Sequence, residues 1–141
     1  MSRYVANAIS LGMLDSIDRE MAYGSYDPML IKLEVSRLSA QGARDWVRRE
    51  SWTSIVGHDD TATLLSELLG VPIIKNRVST SIKVGDCILV CQYNGERLAE
   101  GAKTLPPNAT IRYFLVTVRT DVFLTDASKD DINDCYLGTA W

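Results

Sequence analysis

The chain has 141 residues, 46% hydrophobic and 23% charged, enough for one domain with a proper core and too few for two ordinary ones. Its net charge of −3 argues against a protein that coats long DNA or RNA, because phosphate neutralisation dominates such affinity, although a compact anion could bind where a few cations converge. The longest apolar stretches, CILVC (87–91) and YFLV (113–116), fall far short of the roughly 18 residues of a membrane span, and MSRYVANAIS reads as the start of a strand rather than a secretory signal.

In chain order, RYVANAI (3–9) reads as a strand with Tyr4, Ala6 and Ala8 on one face. SLGMLDS (10–16) suits a short helix or turn capped by Ser10. MLIKLEVSRL (29–38) suits a half-buried strand, SAQGARDWVRRES (39–51) a helix with Ser39 at its N-cap, and WTSIV (52–56) a short strand. The clearest helix follows His58. Asp59 is the expected N-cap, Leu64, Leu65, Leu68 and Leu69 keep the 3.6 period, and Gly70 supplies the left-handed stop. RVSTSIKV (77–84) and DCILVCQY (86–93) read as a hairpin joined at VGD. NGERLAEG (94–101) offers a turn and one helical turn, and IRYFLVTV (111–118) a further strand. The expected architecture is a single α/β domain over residues 1–141, a mixed sheet of about five strands with short helices packed on it. Residues 120–141 stand as a C-terminal extension.

The three cysteines form no C-x-x-C pair and read as reduced structural thiols; Cys87 and Cys91 share a strand face too far apart for an easy disulfide. With one histidine, a zinc site of the usual kind is not expected. There is no phosphate-binding P-loop, nucleophile elbow or dinucleotide fingerprint, and the acidic KDDIND (129–134) reads as solvated. No metal and no cofactor is therefore expected. RNA suits that constraint because it carries its own nucleophile, the 2′-hydroxyl. An enzyme need only align it, steady the phosphorane charge with cations and protonate the departing 5′ oxygen. Histidine fits the last step and arginine the second. His58 lies where unpaired backbone N–H groups favour an anion, and Gly57 before it permits close approach. The same residue also reads as one that caps or packs at a strand–helix junction.

Three stretches together, YVANAISLGML (4–14), IVGHDDTATLLSELLG running through IIKNRV (55–78), and RLAEG (97–101), resemble the family of viral ring nucleases, the type III anti-CRISPR proteins of archaeal viruses and phages. The family pattern is ANAxSxxML, then GHDST with a leucine-rich helix, KNRV, and QRLEEG. Order and spacing agree apart from one extra residue at YNGERL, and the match covers about half the chain. The resemblance implies cleavage of cyclic tetra-adenylate into linear di-adenylates through 2′,3′-cyclic phosphate ends, in the cytoplasm of the infected host cell. It implies His58 as general acid, Arg97 on the scissile phosphate and Glu100 beside it. Arg77 and Gln92 match ligand contacts, and Asn7 and Ser10 match polar residues facing the adenosines. Lys75 shares a face with Arg77 on the expected strand, and Gly57 adjoins the histidine. Read without the resemblance, Arg97 and Glu100 are also a surface i,i+3 ion pair, and Gln92 an ordinary strand-end residue. GHDDT stands for GHDST, RLAEG for RLEEG and Gly12 for a polar residue, while residues 15–54 and 120–141 are longer than in the compact viral proteins.

A homodimer with the ring at its two-fold interface is implied too. Two-fold symmetry would set one His58 at each of two opposite phosphodiesters. The competing expectation is a binding module of the same fold that sequesters a cyclic oligonucleotide, or binds nucleic acid or a host protein, without turnover.

Overall fold

The backbone of the sheet is set by strands that are apolar on both faces. The structure, a computed structural model, describes residues 1–15, 17 and 31–120. Five strands, β1 (Arg3–Ala6), β2 (Ile31–Leu38), β3 (Thr53–Ser54), β4 (Cys87–Asn94) and β5 (Thr110–Thr120), form one mixed sheet in the order β2-β5-β4-β1-β3. β1 pairs in parallel with β3 and β4, whereas β5 runs antiparallel to β2 and β4. Two helices, α1 (Ala40–Arg49) and α2 (Asp59–Leu69), complete the α/β domain.

Alternation along β1 and β4 divides the core. Val5, Leu89 and Cys91 face α1 (Ala43, Trp46, Val47) and α2 (Ala62, Leu65, Leu69). Ala6, Ile88 and Val90 face the other way, with Val116 and Val118, and are covered by Leu14, Ile17 and Ile82. β4 therefore reads as an unbroken apolar run, as a central strand buried on both faces must. Asp86 is buried just before β4. Its carboxylate accepts the N–H of Ser2 (2.8 Å) and of Lys83 (2.9 Å), which fixes the start of β1 beside the turn that enters β4.

Several local expectations change. Residues 77–84 form no strand, because both edges of β4 are already taken by β1 and β5. The segment instead crosses the second face, where Ile82 is buried and its N–H bonds the carbonyl of Met13 at 2.9 Å. Lys75 and Arg77 thus lie on an irregular segment, not a strand. Residues 94–101 contain no helix: a single backbone turn closes from the N–H of Ala102 to the carbonyl of Ala99, so Arg97 and Glu100 do not share a helical face. β2 is exposed from Lys32 to Arg37 rather than half-buried, since it lies at the sheet edge. β1 stops at Ala6, and residues 11–14 make a 3-10 turn that Ser10 precedes without a side-chain cap. His58, not Asp59, is the N-cap residue of α2. Gly70 ends α2 in the left-handed region at φ 73°, as expected. KDDIND and the 120–141 extension fall, apart from Thr120, outside the described residues.

Cys91 and Tyr113 stand opposite each other across β4 and β5, both in the core. Burial pushes the Cys91 thiol up from 9.0 to about 12. Burial first, then neighbouring Cys91, raises the Tyr113 phenol, and Arg44 partly offsets this. Above about pH 9 the unfolded chain releases protons that the folded chain retains, so stability must fall as pH rises through that range. Urea midpoints measured from pH 8 to 11 are expected to decline, and Cys91→Ala to flatten the decline. An equal slope in the variant would remove Cys91 as its source.

Candidate functional site

β3 is two residues long, and side-chain hydrogen bonds do what a longer ladder would. The buried Ser54 hydroxyl donates to the carbonyl of Ile74 at 2.6 Å and accepts the N–H of Val56 at 3.3 Å. Asn76 closes the same loop from the other strand of chain. Its Nδ2 donates to the carbonyl of Ser54 at 2.7 Å, and its backbone N–H to that of Val56 at 2.8 Å. Ser66, inside α2, holds the far end: its hydroxyl accepts the N–H of Ile73 at 2.8 Å and donates to the carbonyl of Ala62 at 2.7 Å. Residues 73–76 are thereby laced between β3 and α2, next to Gly57 and His58.

His58 is extended (φ −131°, ψ 136°) and its carbonyl accepts the first helical bond, from Ala62 N–H at 3.0 Å. Its imidazole makes no capping bond and is exposed. The expected need for glycine at 57 is not imposed by the chain itself, because a Cβ there would stand 3.7 Å from Arg77 Cγ, an ordinary contact. What that distance does show is that the Arg77 stem runs beside the histidine's neighbour. Lys75 Nζ lies 3.6 Å from Asp59 Oδ2, an exposed pair worth less than ~1 kcal/mol.

The distant RLAEG stretch arrives at the same helix end. Asp60 Oδ1, in the first turn of α2, accepts the N–H of Gly101 at 3.4 Å. Leu98 is buried and anchors the stretch, leaving Arg97 and Glu100 exposed on either side. The extra residue at YNGERL sits in a turn closed by the Tyr93 hydroxyl, which donates to the carbonyl of Glu96 at 2.6 Å. Gly95 in that turn is required: a Cβ would fall 2.7 Å from Ala109 Cβ. Among the described residues, Arg97 and Glu100 form no ion pair with each other or with any partner, and the same holds for Arg77.

The other expected residues lie along the sheet's edge. β1, β2, β3 and β4 all point the same way, so their carboxyl ends share one edge, and both helices begin there. Such an edge is where open α/β sheets bind ligands. Asn7 follows β1 and is half-buried, Gln92 is exposed near the end of β4, and Gly57–His58 follow β3. In the order β4-β1-β3, Gln92 and His58 are two strand spacings apart, about 10 Å. Ser10 is exposed beyond Asn7. Sequence reasoning assigned no role to Ser54 or Asn76, although Asn76 lies between the two cations it singled out. Among the described residues no three His, Cys, Asp or Glu side chains converge as a metal site would need.

The family model for STIV B116-like proteins matches residues 4–108, three quarters of the chain. The chain belongs to the STIV B116-like family. Its family relative ORF117 of Acidianus two-tailed virus, an uncharacterized protein, is 36% identical over 72 residues, half of this chain and 61% of that protein. This chain thus spans about three-fifths of that relative's length. The solved structure of B116 of Sulfolobus turreted icosahedral virus superposes with a TM-score of 0.59 at 21% identity, over 83% of this chain and 99% of B116. That likeness is one of fold, and it matches the mixed sheet described above. No described helix is long and apolar enough to cross a membrane.

Within this B116-like fold the Ser54–Asn76 clamp has a measurable weight. Asn76→Asp keeps the size but removes the donor, and a lost buried hydrogen bond costs about 1–2 kcal/mol. Thermal melts are expected to show a transition lowered by roughly 5 °C. An unchanged transition would mean that the clamp does not hold the loop.

Proposed function

We propose that the protein is a metal-independent ring nuclease that cuts cyclic tetra-adenylate into linear di-adenylates and so acts as an anti-CRISPR against type III systems, in the cytoplasm of the infected host cell. The observation that carries this reading is the Asp60–Gly101 bond, which brings the RLAEG stretch to the helix end that begins at His58. In the reaction, a ribose 2′-oxygen attacks the adjacent phosphorus and gives up its proton to water. The P–O5′ bond breaks, His58 donates a proton to the leaving 5′ oxygen, and a 2′,3′-cyclic phosphate remains. Arg97 holds the scissile phosphate as charge builds on its oxygens, and Glu100 orients the imidazole. Arg77, Lys75, Gly57, Gln92, Asn7 and Ser10 bind the rest of the ring. Two copies of the chain meet around the ligand, each supplying one His58.

The alternative is a non-catalytic module that holds the ring intact. Asp59 and Asp60 both occupy the first turn of α2, where they oppose an incoming phosphate. Their engagement by Lys75 and by the Gly101 amide reduces that opposition. Incubation with cyclic tetra-adenylate in EDTA, read by mass spectrometry, separates the two. Di-adenylates are expected from the wild-type chain. His58→Ala is expected to retain the ring while cutting about 100-fold more slowly or worse. Intact ring after long incubation would favour the holding module, and undiminished cutting by His58→Ala would remove that residue from the mechanism.

A further inference from the structure

β4 and β5 carry a polar pair where the cover of the second sheet face ends. The register sets Gln92 of β4 directly opposite Arg112 of β5. Two positions inward on the same strands, Val90 stands opposite Phe114. Val90 belongs to the second-face core and Phe114 packs against it. Side chains alternate along a strand, so Gln92, Asn94 and Arg112 lie on that face, the one that α1 and α2 do not cover. Val90 is buried, whereas Gln92, Asn94 and Arg112 are exposed. Directly opposed residues have Cβ atoms about 5 Å apart, so the Gln92 carboxamide and the Arg112 guanidinium can reach one ligand. With Tyr93 and Asn94 they line a cleft of about 280 Å³.

Nothing in that lining compensates the charge of Arg112. No carboxylate is among the described lining residues, and the two carboxamides are neutral. Among the described residues the side chains of Gln92, Asn94 and Arg112 make no hydrogen bond or ion pair. Arg119, on the same strand but the opposite face, is the contrast: Glu34 Oε1 holds its Nε at 2.7 Å. The chain that follows β1 crosses the second face too, since Ile9 and Met13 pack against its core. The segment that carries Asn7 and Ser10 is thus on the same face as Gln92, with Arg112 one strand farther out. Three strand spacings, about 14 Å, separate β5 from β3, after which His58 follows.

We propose that Arg112 holds an uncut phosphate of the ring, beside Gln92. This rests on the reading of the site as one that binds cyclic tetra-adenylate. A guanidinium matches two phosphate oxygens with parallel N–H bonds. The stoichiometry agrees: in a two-fold pair of chains around four phosphates, the two His58 side chains take opposite ones and the two Arg112 side chains the remaining pair. A phosphate that does not react is held equally before and during the cut, so Arg112 serves affinity rather than the chemical step.

Titration of cyclic tetra-adenylate into the full chain carrying His58→Ala, at several salt concentrations, tests this. Adding Arg112→Gln is expected to raise Kd at least about tenfold and to flatten the plot of log Kd against log salt by about 0.7, the share of one phosphate contact. Arg119→Gln removes the same charge from the same strand and is expected to change neither. Both arginines are exposed, so the core is left intact. With His58 restored, Arg112→Gln is expected to keep the cutting rate at saturating ring within about twofold. Equal affinity and salt slope in Arg112→Gln, or a loss matched by Arg119→Gln, would overturn the proposal and leave the reading of the site standing. A saturated rate that falls as far as affinity would put Arg112 on the scissile phosphate and overturn it as well. If no chain binds the ring, the reading of the site falls and this proposal with it.

Discussion

The candidate site depends on a clamp of two short polar side chains. Ser54 and Asn76 bond each other's strands of chain through one hydroxyl, one carboxamide and one backbone amide. β3 has only two ladder positions with β1, too few to hold the chain that follows against thermal motion. Buried polar groups that are satisfied by one another resist separation, because opening would leave each without a partner or expose the core beneath. Everything that follows β3, from Gly57 through the first turn of α2, inherits its position from that clamp. This gives a physical reason for an asparagine between Lys75 and Arg77: it fastens the segment, and the cations on either side are what the segment presents.

The direction of the strands does the rest. Only β5 runs against the others, so four carboxyl ends and two helix beginnings are collected on one edge. An acidic chain can then hold a basic rim. Glu34 is engaged by Arg119 at 2.7 Å, Glu50 by Arg3 at 3.2 Å and Asp59 by Lys75, while Asp86 is buried against backbone amides. Arg37, Arg77, Arg97 and Arg112 are left without such partners among the described residues. The net charge counts all of these equally; a phosphate approaching the edge meets the unpaired guanidinium groups, together with the unpaired Glu100 beside Arg97.

Much of this was legible from residues alone. Leu64, Leu65 and Leu69 signal the buried face of α2, Gly70 its end, and the apolar run of β4 its central place, because these signals are local. The failures share a cause. RVSTSIKV has the β-branched content of a strand, but a strand needs a free edge, and β1, whose last residue Ala6 lies 81 positions before Cys87, had taken it. Likewise 97–101 has helical spacing, yet burial of Leu98 and the bond from Gly101 to Asp60, 41 positions upstream, set its course. For the site, the motif residues could be named but not their support. Nothing in the spacing of Ser54 and Asn76 announces that one carbonyl and one carboxamide meet.

The two ends of the edge differ in a way that bears on what each can bind. At α2 the helix opens with two carboxylates, Asp59 paired with Lys75 and Asp60 accepting the backbone N–H of Gly101. Such an arrangement tolerates an anion only when further cations converge on it. At α1 the helix opens with Ser39 as its cap and no acid in its first turn. The order β2-β5-β4-β1-β3, which sets α1 and α2 after the two outermost strands, keeps these two helix beginnings apart.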